Sequence, residues 1–400
     1  MSRIRNSILA GNQASPNLQV CYYGSYDLNE PHNTTHLAGL RAAGVAVVEC
    51  HLASPKQRDD ATNYKSPVRT AAFLFSFVVR SLRLFFKLWR VGHVDAVIVG
   101  YPGYFDLPLV KVYAAIKRLP LLFNVHISLY ETLVEDRAYF DRHALMGRLL
   151  KWYDKLLFRL ADAVIVDTQA HGDYFARTYD LPSGKFARVF IGADAEFQPL
   201  PFEENGHCNV LFYGTFIPLQ GIEHIIAAAS ILQDSRDVRF KLIGRGQTKE
   251  QALQQARSLG CANIEFVDWV TRAELAQEIA RADICLGGQF GTTQKADLVI
   301  GYKCFQMLAM KKTVIVSNST GNRELLTHGE DCLMCQAGDG KSLAEAILTI
   351  KDDPQRRRAL ARNAWRRFND QCRPQRIGET LLQIAREQLA AYHPDRNYGT

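Results

Sequence analysis

Short apolar runs rich in β-branched residues alternate with longer stretches of helical periodicity along almost the whole chain. The runs predict strands at Leu18–Tyr23, Val45–Glu49, Ala96–Val99, Leu121–Val125, Ala163–Asp167 and Arg188–Ile191. After a break they resume at Asn209–Tyr213, Phe240–Ile243, Asn263–Phe266, Ile284–Leu286 and Thr313–Ser317. Most are continuous rather than alternating, the mark of strands covered on both faces. With helices between them they make a parallel doubly wound sheet, and the pattern occurs twice: an α/β chain of two Rossmann-like domains facing across a cleft. The break, Pro199–His207, is rich in Pro, Gly and charge without periodicity and reads as the linker. It divides the chain into residues 1–200 and 205–375. Beyond Lys341 the pattern predicts helices at Ser342–Lys351, Asp353–Asn369 and Arg376–Ala391. The last, with the tail to residue 400, is expected to pack back on the first domain. Ligands of open α/β sheets bind at the carboxyl ends of the strands, which here means the cleft.

Composition narrows the class. At 400 residues, with 47% hydrophobic and 22% charged side chains, the chain is neither disordered nor collagen-like nor a disulfide-stapled mini-protein. The net charge of +7 is a mild excess that suits anionic partners. Nine scattered cysteines, most of them in apolar runs, read as reduced thiols. Cys332 and Cys335 form a CxxC, but the tract Asp331–Cys335 reads as a buried strand, so packing is the expectation rather than zinc. The first seventeen residues lack the apolar core of a signal peptide, and no run reaches about 18 uninterrupted apolar residues. The expectation is a cytoplasmic protein. The basic residues form no continuous stripe with interleaved aromatics outside one helix, which argues against nucleic acid.

The candidate chemistry gathers at predicted strand ends of the second half. Gly214-Thr215 through Gly221 is a strand followed by a Gly-bounded loop and a helix, an arrangement that brings backbone amides to a phosphate. Gly244-Arg245-Gly246 repeats the device with a cation. Gly287–Gln306 is polar and glycine-rich, and carries Lys295 and Lys303 where the helix dipole disfavours cations unless an anion binds. Thr313–Leu326 adds a polar turn and Glu324.

These motifs resemble the donor domain of retaining glycosyltransferases of family 4, which have the two-domain GT-B fold. The resemblance rests on "YGT…GIE", "KLIGRG", "ADICLGGQFGTTQKADLVIGYKCFQMLAMKKTVIVSNSTGNRELL" and the linker strand "ARVFIGADAEFQP", over about residues 205–375. It implies a nucleotide-diphosphate sugar as co-substrate in the second domain and an acceptor in the first, with no cofactor and no metal. Two departures stand out. The Arg and Lys usual in the first loop are replaced by Thr215 and Gln220, and the E-x7-E pattern is missing, with Gln306 in the second Glu position. The expected donor residues are therefore Gly214, Thr215, Gly244, Gly246, Lys303, Gln306 and Glu324. Arg245 and Lys295 are the expected cations on the departing diphosphate, and His126, just past a strand end, resembles the family's cleft histidine. Gly24, Tyr26, Tyr104, Tyr130 and Arg137 are the expected acceptor side. The implied reaction retains the anomeric configuration, the leaving phosphate itself taking the acceptor proton.

No acidic residue occurs between Asp60 and Asp95, and Ala71–Arg90 carries five Phe, one Trp and Arg80, Arg83, Lys87 and Arg90 on one helical face. A basic amphipathic helix of this kind suits an anionic membrane surface, peripheral at the inner face of the cytoplasmic membrane, and with it a lipid-linked acceptor in surface polysaccharide or glycolipid synthesis. The alternative is that the helix packs on the sheet and its basic stripe meets water. Two other functions stay open at the level of sequence. One is a nucleotide-sugar epimerase, which shares the fold. The other is a non-catalytic GT-B binding subunit, for which the missing glutamates argue.

Overall fold

The structure, a computed structural model, describes residues 18–53, 67–202 and 206–394, the side chains of 53 and 67–74 excepted. Two six-stranded parallel sheets form. The first comprises β1 (Gln19–Tyr26), β2 (Ala46–Ala53), β3 (Ala96–Val99), β4 (Leu121–Asn124), β5 (Ala163–Val166) and β6 (Phe186–Arg188) in the order β2-β1-β3-β4-β5-β6. The second comprises β7 (Cys208–Thr215), β8 (Val238–Arg245), β9 (Ile264–Val267), β10 (Ile284–Gly288), β11 (Thr313–Ser317) and β12 (Leu333–Cys335) in the order β12-β11-β10-β7-β8-β9. The central strands β3, β4, β5, β10 and β11 are buried residue by residue, which is why they read as unbroken apolar runs. All nine cysteines are free thiols, and the Cys332–Cys335 pair is divided between the cores on the two faces of the second sheet.

The chain passes between domains twice. Val189 still belongs to the first domain's core, whereas Phe190, Ile191, Ala193 and Phe197 sit in the second's. The crossing therefore precedes the Pro199–His207 tract that composition marked as the linker, of which residues 203–205 lie outside the described residues. The strand expected at Arg188–Ile191 accordingly ends at Arg188, because its apolar tail is needed by the other core. The return runs through Cys372, in the second core, to Ile377 and Leu381, in the first. At Gly192, whose φ is 76°, a Cβ would lie 2.4 Å from Ile377 Cδ1 and 2.7 Å from the Cys372 carbonyl, so the two crossings touch there. The final helix, Pro374–Tyr392, packs on the helix Pro31–Ala42 so closely that a Cβ on Gly378 would stand 1.9 Å from the Gly39 carbonyl oxygen.

Candidate active site

The Gly-bounded "loops" of the second domain turn out to be strand. β7 and β8 run two residues further than their apolar cores, pairing Gly214 with Gly244 and Thr215 with Arg245. Gly244 has φ 151° and a Cβ there would lie 1.9 Å from the Gly214 carbonyl oxygen; Gly246 abuts the backbone of Phe216. Gly244 and Gly246, expected as a phosphate cradle, are thus required by the approach of two backbones.

Beyond that junction, at the carboxyl edge of the sheet, lies a cavity of about 260 Å³. Gly214, Thr215, Gln220, Gln289, Lys303 and Gln306 form its polar wall, and Ile243, Trp269, Val270 and Leu275 its apolar one. A larger hollow, about 850 Å³, opens at the opposite edge beside the amino ends of β7, β8 and β9. Ligands of such sheets bind at the carboxyl edge, so the smaller cavity is the candidate site.

Lys303 is the cation of this cavity. It sits in the first turn of the helix Tyr302–Ala309 and is only 6% exposed. Its Nζ lies 5.0 Å from the centroid of the Phe212 ring, and among the described residues no carboxylate pairs with it. Burial lowers its pKa to about 8. Around it, the Oε1 atoms of Gln220 and Gln289 are buried without a hydrogen-bond partner among the described residues. Gln306, in the position where the family resemblance expects a Glu, accepts from the Tyr213 hydroxyl at 2.9 Å. Gln220 lies across Gly214, where a Cβ would be 2.5 Å from its Oε1.

Neither of the two cations expected at the diphosphate lines this cavity. The exposed Arg245 rests on Trp269, its guanidinium carbon 5.5 Å from the ring centroid, and does not line the cavity. Lys295 turns to the first domain, with Nζ 3.5 Å from Glu131 Oε2. Glu131 Oε1 lies 3.0 Å from His171 Nε2, and His171 Nδ1 lies 2.9 Å from Asp167 Oδ1. Burial alone would raise the Glu131 pKa, but His171 and Lys295 bring it down to about 2. Burial would lower that of His171, but Glu131 and Asp167 raise it to about 9. The result is a buried chain of alternating charge from one domain to the other. Glu324, expected at the donor, also joins the domains. Its carboxylate accepts from the Gln169 and Ala170 amides at 2.8 and 2.7 Å and from Arg188 at 3.1 Å, capping the helix Gln169–Tyr179 from across the interface. Thr168, the residue before that helix, donates to the Leu298 carbonyl at 2.5 Å.

In the first domain, His126 follows β4 with φ 43° and is 2% exposed. Its ring lies 4.1 Å from that of His32 and 5.5 Å from that of His36. Among the described residues neither ring nitrogen of His126 or His36 has a hydrogen-bond partner. Burial and then the neighbouring histidines hold His126 well below the usual range, and burial holds His36 at about 3. Tyr104 donates to the Ile127 carbonyl at 2.6 Å and so fixes the loop that carries His126.

The remaining acceptor candidates engage neighbours within the first domain. Gly24 is inside β1 beside Asp106, and Tyr26 packs on Tyr22 and His51 with its hydroxyl donating to Glu49 at 3.3 Å. Tyr130 lies under Lys151, and the Nε of Arg137 is 3.9 Å from Asp136. For Gly24 and Tyr26 the cause is that a Gly–aromatic sequence after an apolar run looks like a loop, whereas β1 continues through it. His32, His36 and His171 were not anticipated. The i,i+4 spacing of His32 with His36 and of Asp167 with His171 is the local signal that places each pair on one face. Among the described residues no cluster of three or more His, Cys, Asp or Glu is arranged to hold a metal ion.

The comparisons with known proteins agree with this architecture. The model "Glycosyltransferase Family 4" matches residues 30–197, and "Glycosyl transferases group 1" matches residues 207–353. One match falls on each domain, and the chain belongs to the glycosyltransferases of the GT-B fold. Among curated relatives, the alpha-D-kanosaminyltransferase of Streptomyces kanamyceticus is 23% identical over 62% of this chain and 65% of its own. The lipopolysaccharide core biosynthesis glycosyltransferase LpsD of Rhizobium meliloti is 28% identical over 38% of this chain and 41% of its own. Among solved structures, HepE of Anabaena in complex with UDP superposes with a TM-score of 0.66 at 16% identity, covering 92% of this chain and 99% of that one. Sucrose-phosphate synthase of Thermosynechococcus elongatus gives 0.68 at 16% identity, covering 94% and 100%. At that identity the two structures show the fold.

Proposed function

We propose that the protein transfers a sugar from a nucleoside diphosphate sugar to an acceptor hydroxyl, with retention of the anomeric configuration, in the synthesis of a polysaccharide or glycolipid. The observation that carries this reading is Lys303: a cation 6% exposed, paired with no carboxylate among the described residues, facing a cavity with unpartnered amide oxygens. Leaving a charge in that state is costly, and a diphosphate is the ligand that repays it. In the ground state Lys303 binds the diphosphate; as the bond from the sugar C1 to the β-phosphate breaks, the same ammonium meets the growing negative charge. The diphosphate oxygen then takes the proton of the attacking hydroxyl. Gln306 serves the ribose hydroxyls as a neutral acceptor, Gln220 and Gln289 the remaining polar groups, and Trp269 the base. His126 faces the sugar as a neutral imidazole, so it acts as a hydrogen-bonding group without charge. Arg245, Lys295 and Glu324 hold the site's shape and not the diphosphate. The acceptor is a saccharide or a lipid-linked saccharide.

The test is thermal stability of the purified protein against nucleoside diphosphates and their sugars, beginning with UDP, the ligand in the HepE structure. A true donor raises the melting temperature with concentration. Proton NMR of the product made with that donor then gives the anomeric configuration. An inverted product refutes retention, and stabilisation by no nucleotide refutes the donor site.

A further inference from the structure

The helix Pro67–Leu88 has three faces, and its sequence alone suggested two. Phe77, Ser81, Leu84 and Leu88 point inward, and the Ser81 hydroxyl donates to buried Asp106 at 2.5 Å, so the helix does pack on the first sheet. A second face carries the exposed cations Arg83 and Lys87, followed by Arg90. The third is an exposed apolar stripe at spacings of three and four: Phe75, Val78, Leu82, Phe86 and, just past the end, Trp89, between 42 and 70% exposed.

The stripe does not stand alone. On the helix Leu107–Lys117, Val112 and Ile116 are at least half exposed. On the helix Leu145–Leu160, Leu145, Leu149 and Trp152 are 74, 47 and 60% exposed at heptad-like spacing. The three helices are neighbours over one face of the first sheet. Trp89 packs edge-on against Tyr113 at 5.2 Å with Lys117 over its ring, Phe77 meets Phe105 at 5.1 Å, and Tyr153 donates to the Tyr104 carbonyl at 2.8 Å. Exposed apolar side chains on this scale mark a contact surface.

Charge names the occupant. Across these three helices the only acidic residue is Asp154, which is buried and accepts from the Leu129 and Tyr130 amides. The exposed polar positions are cationic, among them Arg148 and Lys151 beside the Leu145–Trp152 stripe. We infer that this three-helix face docks on an anionic lipid bilayer, with Phe86, Trp89, Leu145 and Trp152 in the interfacial region and the flanking Arg and Lys on lipid phosphates. Among the described residues no helix is long and apolar enough to cross a membrane, so the contact is one of lying on the surface. Each of the three helices follows a strand of a parallel sheet and therefore begins at the carboxyl edge, where the cleft opens. The docked face runs up to the mouth of the cleft. Resting on the proposed transferase activity, this makes the acceptor a lipid-borne one that enters from the membrane side.

The test is sedimentation of the full chain with vesicles, comparing phosphatidylglycerol mixed into phosphatidylcholine against phosphatidylcholine alone. The wild type should pellet with the anionic vesicles and be released by salt. The double variant Phe86→Ser, Trp152→Ser should lose binding by about tenfold or more, and Arg83→Glu with Lys87→Glu should lose it comparably. All four side chains are exposed, so melting temperatures should hold and loss of binding is not loss of fold. Vesicle binding needs no turnover, so its failure is separate from failure of the transferase reading. Absence of binding to anionic vesicles, binding unaffected by either variant, or light scattering showing that the face joins two copies of the chain would each overturn the proposal.

Discussion

At the residue scale Lys303 is the decisive group of the cavity. It is buried, weakly partnered and poised near neutrality, which is a liability for the fold and an asset for an anion site. Replacement by the similarly shaped, uncharged methionine should preserve or raise the melting temperature while weakening nucleoside diphosphate binding roughly 30- to 150-fold, the loss of one buried charge-assisted contact. Binding should also depend on pH in a defined sense. Below about pH 8 the ammonium is already formed; above it, binding must first take up a proton, so affinity falls as pH rises through that value. Calorimetry in buffers of different ionisation enthalpy measures that uptake directly. Lys303 and Gln306 could be placed together in the sequence because both lie in one short apolar helix, three residues apart, and both line the cavity. The destinations of Lys295, on Glu131 across the interface, and of Arg245, on Trp269 of its own domain, were not, since a sequence gives the charge but not the partner it finds.

At the scale of elements, the parallel strands were legible for a physical reason: strands buried on both faces cannot disguise their composition. Their ends were less so. β7 and β8 extend through Gly214 and Gly244 because two glycines in register let the backbones close up, and an apolar-run criterion stops short of them. The helix Gln169–Tyr179 shows another limit. Thr168 caps it from the adjacent position, but the second cap comes from Glu324, more than 150 residues away in the chain. Glu324→Ala should cost about 1–2 kcal/mol in denaturant unfolding, as loss of a helix cap does. It should also speed hydrogen exchange at the Gln169 and Ala170 amides while leaving the cavity's affinity for nucleotide intact. A large loss of nucleotide affinity with unchanged exchange would return Glu324 to the donor site.

At the scale of the whole molecule, two crossings and one buried charge chain hold the domains in register. Asp194 gathers the hinge side, accepting from Thr34 of the first domain at 2.6 Å and from Arg272 and Tyr302 of the second at 2.9 and 2.8 Å. The Asp167–His171–Glu131–Lys295 chain ties the cleft side. His171 has its folded pKa raised to about 9, so its contribution is full below the unfolded value near 6.5 and is lost as pH rises through about 9. His36, depressed to about 3, acts in the opposite sense: its contribution is present above about 6.5 and is lost as pH falls towards 3. Unfolding free energy measured against pH should therefore decline on both sides of neutrality, and Glu131→Gln should flatten the alkaline limb. An alkaline limb unchanged in that variant would remove His171 from the tie.

The two-domain plan was legible in the sequence; the point of crossing was not, because Phe190 and Ile191 look like strand and are instead anchored in the second core. The central claim, that the Lys303 cavity receives the diphosphate of a sugar donor, is tested most directly by calorimetric titration of nucleoside diphosphates into the wild type and Lys303→Met. One nucleotide should bind the wild type saturably, and that binding should be lost in a variant that remains folded. Binding of equal affinity to both proteins, or no binding to the folded wild type, would contradict it.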